Sequence, residues 1–121
     1  MLPTPSLLPL FAYGSLLDEV FVGRLLEHPV SSEPAVLHGF ERDELPGFGH
    51  PIVVEAEDAS VEGRIYRLLS AEDFRRLDHY EGVPEGLYRR APVRVVAGGR
   101  DEAEWAFLYV PTEKVLTLRP R

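Results

Sequence analysis

The sequence predicts a small α+β fold in which β-strands outnumber helices. Short segments rich in aliphatic and aromatic residues are separated by many of the 10 Gly and 11 Pro residues, a pattern typical of strands joined by turns. Only two segments carry the signals that start a helix. A chain of 121 residues suits one domain with its own core. We therefore expect residues 1–121 to form a single domain, with a mixed, β-barrel-like sheet of about six strands and two or more short helices.

Six segments have the composition of strands: residues 7–13, 36–40, 52–54, 61–69, 87–97 and 102–110. The last two predict an antiparallel hairpin, because Trp105, Phe107 and Tyr109 alternate with their neighbours after a turn at Gly98-Gly99. Residues 41–51 are rich in Gly, Pro and charged residues and predict a surface loop. Closure of the sheet would remove exposed strand edges.

Asp18 predicts the start of a first helix of about two turns, because an Asp side chain accepts N–H groups at a helix N-terminus. Phe21, Leu25 and Leu26 then share one face, and Pro29 stops the helix.

Ser70 and Asp73 have the spacing of a capping box, in its acidic variant, and predict the start of a second helix. This helix runs to about Tyr80, and Gly82 suits the left-handed conformation that ends helices.

Composition and charge exclude several classes of partner. A net charge of −7 and a pI near 5.0 oppose a nucleic-acid or anionic-membrane partner, since either would require a basic face. No apolar run approaches the length that spans a bilayer, and the proline-rich N-terminus lacks the basic start of a targeting segment. We expect a cytoplasmic protein, with no nucleic-acid or membrane partner, that is a monomer or a weak homodimer.

The sequence also predicts no metal site and no cofactor. The chain has no Cys, which excludes disulfides and thiolate ligands. The four histidines, His28, His38, His50 and His79, lack the spacing of paired zinc ligands and are interpreted as surface or loop residues.

The turn after the first strand is a candidate anion-binding site. The N–H groups of Gly14, Ser15, Leu16 and Leu17 precede the first helix, and successive N–H groups there form a nest for a carboxylate or oxyanion. Many strand-to-helix turns carry Gly-Ser without a ligand, so the local sequence leaves this open. A Ser-His-Asp triad is disfavoured, because Asp78 and His79 are adjacent and point about 100° apart on a helix.

The end of the second helix is a candidate acid–base site. Phe74, Leu77 and Glu81 lie at i, i+3 and i+7, so a carboxylate shares the face of the two apolar residues. Burial and the negative end of the helix dipole would both raise the pKa of Glu81, as general acid–base catalysis near neutral pH requires. The alternative is a helix that frays at Tyr80 and leaves Glu81 in water. Tyr88 is either a core residue or a hydroxyl directed at this site.

Three ordered segments give the chain a recognisable pattern. They are residues 11–16 (FAYGSL), 61–66 (VEGRIY) and 77–82 (LDHYEG), the last followed by residues 87–90 (LYRR). In this order and spacing the sequence resembles the γ-glutamylcyclotransferase-like family, also described as the AIG2-like group, over about residues 8–110.

The resemblance implies a small barrel with flanking helices and a pocket for a γ-glutamyl compound. In this family the glutamate, here Glu81, transfers protons. The residues that the resemblance assigns to substrate binding are Tyr13, Gly14, Ser15, Leu16 and Tyr88. The implied reaction closes the γ-glutamyl group to 5-oxoproline and releases an amine or amino acid. A non-catalytic binding module and an amidase that uses water are the alternatives, and the sequence does not name the amine.

Overall fold

The computed structural model describes residues 7–47 and 49–118 of the chain. Within these residues, five strands, three α-helices and a 3-10 turn follow one another along the chain. The strands are β1 (Leu10–Ala12), β2 (Ser32–Glu44), β3 (Pro51–Tyr66), β4 (Tyr88–Ala97) and β5 (Glu104–Pro111), the helices are α1 (Glu19–Leu26), α2 (Ala71–Tyr80) and α3 (Glu113–Leu116), and the 3-10 turn is Ser15–Leu17.

The five strands close into a barrel in the order β1-β3-β2-β4-β5. Among the described strands, β1 pairs with β5 in parallel and the other neighbours pair antiparallel, so the predicted mixed, barrel-like α+β fold is confirmed. The hairpin is also present, with a turn in which the Arg100 N–H bonds to the Ala97 carbonyl across Gly98-Gly99.

The expected count of about six strands is wrong by one. The predicted strands at residues 52–54 and 61–69 are joined, because β3 runs from Pro51 to Tyr66 through the charged stretch between them, and residues 67–69 lie beyond its end. That charged stretch stays in the sheet through a bulge, where the register with β2 shifts between His38 and Phe40 and Asp58 has a left-handed φ of 67°. Part of the loop predicted at residues 41–51 is also strand, since β2 continues to Glu44.

Two apolar clusters lie on either side of the barrel wall. One cluster contains Tyr13 and strand residues such as Phe11, Leu37 and Val95, has no helix residue, and fills the barrel interior. The other joins outward-facing strand residues such as Leu10 to helix residues such as Phe74. The helices therefore cover the outer face of the barrel, and side chains alternate between the clusters along each strand.

Gly63 allows β1 and β3 to approach each other closely near the turn that follows β1. A Cβ atom built on Gly63 would lie 2.1 Å from the Ala12 carbonyl oxygen and 2.6 Å from Phe11 Cζ. In the same strand, Tyr66 is completely buried, and its hydroxyl donates to the Leu16 carbonyl over 2.7 Å. Gly63 and Tyr66 thus contact the backbone at the two ends of the stretch from Ala12 to Leu16.

Both helix starts follow the sequence signals. The Asp18 carboxylate accepts the Val20 and Phe21 N–H groups, and Ser70 and Asp73 form the predicted capping box. Asp73 also binds His28, with 2.8 Å between Nε2 and Oδ1, which ties the end of α1 to the start of α2. No helix among residues 7–47 and 49–118 combines the length and apolarity needed to cross a membrane.

Candidate active site

A cavity of about 330 Å³ opens between the turn after β1, the end of α2 and the start of β4. The residues that the sequence assigned to catalysis and substrate binding lie on its wall, namely Tyr13, Gly14, Ser15, Leu16, Glu81 and Tyr88, whereas Leu17 does not. The remaining lining residues are Ala12, His50, Pro51, Tyr80, Leu87 and Tyr109. The fold thus brings together segments that are separated by more than sixty residues in sequence.

The turn between β1 and α1 lies on the wall of this cavity. Among the described residues, no acceptor bonds to the N–H of Gly14, Ser15 or Leu16, whereas the Leu17 N–H bonds to the Gly14 carbonyl over 2.9 Å. The expectation for Leu17 is therefore wrong, because its N–H closes the 3-10 turn. The other three N–H groups remain donors for an anion.

The absence of a side chain at Gly14 leaves space between the turn and Pro51. A Cβ atom at this position would lie 3.1 Å from Pro51 Cγ, which belongs to the facing edge of the same cavity. The adjacent Ser15 Oγ lies 2.9 Å from the Tyr80 hydroxyl, so this serine bonds to a phenol and not to a histidine. His79 is exposed on α2.

The position of Glu81 is set by the way α2 ends. The Glu81 N–H still bonds to the Leu77 carbonyl over 2.9 Å, so the helix does not fray at Tyr80. Beyond it, the Gly82 N–H bonds to the His79 carbonyl and the Val83 N–H to the Asp78 carbonyl, which is a Schellman motif. Gly82 has the left-handed φ of 76° that this motif requires. Glu81 is therefore the C-cap of α2, directly after Tyr80 and one residue before a fixed turn.

The carboxylate of Glu81 lies in apolar surroundings within the cavity wall. Burial raises its pKa from 4.5 to about 7. No hydrogen bond to this carboxylate is made by any side chain or N–H among the described residues, which is consistent with an effect of desolvation alone. A carboxyl group with a pKa near 7 can both accept and donate a proton at neutral pH.

Three tyrosines surround Glu81. Burial, followed by the charge of Glu81, raises the pKa of Tyr88 to about 12. Burial also raises the pKa values of Tyr13 and Tyr109, to which the charge of Glu81 contributes. Their phenols therefore stay protonated in any pH range where the protein works.

The three phenols differ in their partners. The Tyr13 hydroxyl donates to the Tyr109 carbonyl over 3.2 Å, and the Tyr109 hydroxyl donates to Asp78 Oδ1 over 2.7 Å. Tyr88 is 6% exposed, and no hydrogen-bond partner of its hydroxyl is found within the described part of the chain. Since its oxygen is not sealed off from solvent, this hydroxyl opens onto the cavity.

Sequence reasoning missed Tyr109, Asp78 and Pro51 as part of the site. Tyr109 was assigned only to the alternating face of a strand, and Asp78 was considered only as a member of a triad. For Tyr109 alone a signal was available in the pairing of β4 with β5, which places Arg90 directly opposite it. Arg90 Nε lies 3.2 Å from Asp78 Oδ1, so the three side chains form one network.

The four histidines do not form a metal site. His50 lines the cavity and His28 binds Asp73, so they serve separate regions. Among the described residues, no group of three or more His, Asp or Glu side chains is arranged to hold a metal ion.

Comparison with known proteins identifies the family. A family model described as gamma-glutamyl cyclotransferase, AIG2-like, matches residues 10–120. The chain belongs to this family. Protein AIG2 C of Arabidopsis thaliana is 31% identical over 104 residues, covering 86% of this chain and 61% of that relative. AIG2-like protein C of the same plant is 30% identical over 110 residues, covering 91% and 62%. The chain thus spans about three-fifths of the length of these curated relatives.

Solved structures share the cyclotransferase-like barrel. A solution structure from Arabidopsis thaliana has a TM-score of 0.79 at 29% identity and covers 94% of this chain and 67% of that one. A structure titled gamma-glutamyl cyclotransferase has a TM-score of 0.72 at 21% identity, covering 87% and 66%. An AIG2-like protein from Mus musculus has a TM-score of 0.73 at 17% identity, covering 96% and 86%. At these identities the last two establish the fold alone.

Proposed function

We propose that the protein cyclises a γ-glutamyl amine or γ-glutamyl amino acid to 5-oxoproline and releases the amine. The observation that carries this proposal is the position of Glu81, a carboxylate with a pKa near 7, in the same cavity as the three free N–H groups of the turn. An acid–base group beside an anion-binding turn suits a substrate that has a carboxylate and must lose and gain a proton.

The reaction proceeds within one substrate molecule. Glu81 takes a proton from the α-ammonium group, and the freed nitrogen attacks the γ-carbonyl carbon to form a C–N bond and a tetrahedral intermediate. Glu81 then gives this proton to the leaving nitrogen, and the carbonyl re-forms as the original amide C–N bond breaks. The ring nitrogen loses its second proton through Glu81 to the released amine, which leaves a neutral lactam N–H. Since both reacting groups belong to one molecule, the protein supplies no nucleophile and gains its rate by holding the folded conformer and moving the proton.

The other cavity residues bind the substrate in this proposal. The N–H groups of Gly14, Ser15 and Leu16 hold the α-carboxylate or the oxyanion of the intermediate. The hydroxyl of Tyr88 donates a hydrogen bond to the γ-carbonyl oxygen. Tyr13 completes the wall beside Glu81, and its raised pKa keeps it neutral there. These roles require the substrate to lie across the cavity from the turn to the end of α2.

The test is turnover of a panel of γ-glutamyl amines and dipeptides by the unmodified protein and by Glu81→Gln. Glutamine keeps the size of the side chain and cannot accept the proton, so we expect turnover to fall by at least about a hundredfold. The control is Glu85→Gln, which changes an exposed glutamate in the next loop and should leave turnover unchanged. Circular dichroism verifies that both variants are folded.

The product distinguishes the alternative reactions. Formation of 5-oxoproline supports cyclisation, whereas formation of glutamate would indicate an amidase that uses water. Binding of the panel without turnover would indicate a non-catalytic module. Wild-type turnover by Glu81→Gln would refute the role of this residue.

A further inference from the structure

The hydroxyl of Tyr109 cannot donate a hydrogen bond to a ligand in the cavity. A phenol has one proton, and that of Tyr109 is given to Asp78 Oδ1 over 2.7 Å. Tyr109 is only 3% exposed and lines the cavity with Glu81. Its oxygen retains lone pairs, so the only hydrogen bond that it still offers is one that it accepts.

Asp78 and Arg90 fix the direction in which the Tyr109 hydroxyl donates its hydrogen bond. Arg90 Nε lies 3.2 Å from the same Asp78 oxygen, and the carboxylate is therefore paired. The Arg90 guanidinium itself packs against two aromatic rings, with its central carbon 4.5 Å from the centroid of Phe74 and 4.6 Å from that of Phe107. These contacts hold Arg90 beside Asp78.

The Tyr13 hydroxyl has also used its only proton in a hydrogen bond within the protein. This proton is given to the Tyr109 carbonyl, and Tyr13 lines the cavity, so the only hydrogen bond that its hydroxyl still offers is one that it accepts. Together with the Glu81 carboxylate, the wall formed by these residues offers hydrogen-bond acceptors. The turn at Gly14–Leu16 offers donors. A ligand that carries an ammonium group and a carboxylate on one carbon matches both.

We propose that Tyr109 is a specificity-determining residue whose hydroxyl oxygen accepts a hydrogen bond from the α-ammonium group of the substrate, with Asp78 and Arg90 as its positioning residues. This inference rests on the proposed function, because it concerns the γ-glutamyl group of that substrate. It assigns the selection of a free α-amine to a residue other than the proton-transfer group. The cavity would consequently reject compounds that lack this amine.

The test compares the binding of two ligands that differ in one group. A γ-glutamyl amine and the glutaryl compound of the same amine share the carboxylate and the amide, but only the first has an α-ammonium group. Calorimetric titrations use the Glu81→Gln protein, in which turnover is expected to be absent. Tyr109→Phe is introduced into that protein, and Tyr88→Phe is the matched control because its hydroxyl is proposed to bind the carbonyl that both ligands have.

We expect the protein with Tyr109 intact to prefer the γ-glutamyl ligand by about tenfold to a hundredfold, the range for a hydrogen bond to a charged group. Tyr109→Phe should reduce this preference to less than about threefold, whereas Tyr88→Phe should weaken both ligands by the same factor. An unchanged preference in Tyr109→Phe would overturn the inference and leave the proposed function intact. Failure of both ligands to bind with Tyr109 intact would overturn the proposed function as well.

A ligand series tests the same polarity without altering Tyr109, should Tyr109→Phe not fold. The α-ammonium group is replaced by a hydroxyl, which can donate, or by an oxo group, which can only accept. A cavity wall that offers hydrogen-bond acceptors predicts that the ammonium ligand binds most tightly, the hydroxyl ligand less tightly and the oxo ligand least tightly. An oxo ligand that binds as tightly as the hydroxyl ligand would overturn the inference.

Discussion

Replacing Glu81 by Gln should make the protein more stable at neutral and alkaline pH and leave its stability almost unchanged at acid pH. Burial raises the pKa of Glu81 from 4.5 to about 7, so the folded state holds its proton more tightly than the unfolded state does. Between these two values the folded state binds more protons, and the stability of the wild-type protein falls as pH rises. Above about pH 7 the loss is complete.

The size of the effect follows from the shift. Each pKa unit corresponds to 1.36 kcal/mol, and a shift from 4.5 to about 7 gives about 3 kcal/mol at pH 8. This is an upper value for the substitution, since a buried amide without a partner also costs free energy. Below about pH 4.5 the comparison is between an amide and a neutral carboxyl group, and the difference should be close to zero.

Urea unfolding of both proteins at several pH values between 4.5 and 8.5 measures this difference. The expected result is a gain for Glu81→Gln that rises with pH and levels off above about pH 7. Glu85→Gln, which changes an exposed side chain, should alter the unfolding free energy by less than about 0.5 kcal/mol. A difference between Glu81→Gln and the wild-type protein that does not depend on pH would refute the desolvation of this carboxylate.

Three further outcomes follow from the same structure. If Glu81 is the base, kcat/KM for a γ-glutamyl amine should fall about tenfold per pH unit below about pH 7, and a flat profile from pH 5 to 8 would contradict that role. Gly14→Ala should lower ligand affinity in calorimetry more than it lowers the melting temperature, because its Cβ would meet Pro51 Cγ at 3.1 Å in the cavity wall. Gly63→Ala should reduce the unfolding free energy by at least about 2 kcal/mol, because its Cβ would lie 2.1 Å from the Ala12 carbonyl oxygen; wild-type stability in urea would show that the strands can separate at no cost.

The local signals in the sequence were sufficient for α1 and α2, and they gave an inward Glu81 as one of two alternatives. The Asp18 cap, the Ser70–Asp73 capping box and Gly82 each act through bonds to neighbouring residues, so their effect does not depend on the rest of the fold. Glu81 could be placed inward because helical spacing relates it to Phe74, which is buried.

The strand count and the wider site depended on long-range pairing, which local composition does not determine. The charged stretch within β3 stays in the sheet because β2 pairs with it on both sides of a bulge. Tyr109 and Asp78 lie 31 positions apart, and they meet only because β5 closes the barrel beneath α2. Neither the bulge nor the contact has a signature in the residues themselves.

The cost of Glu81 is itself an argument for its function. A carboxylate whose pKa is raised to about 7 destabilises the folded protein at neutral pH, and it has no hydrogen-bond partner among the described residues that would offset this. A helix end needs no acid at this place, since negative charge is unfavourable at a helix C-terminus. The Schellman motif nevertheless fixes this residue at the wall of the cavity that Tyr13, Tyr109 and the turn also line. A perturbed acid held rigidly beside complementary donors and acceptors is what proton transfer to a bound amino acid group requires.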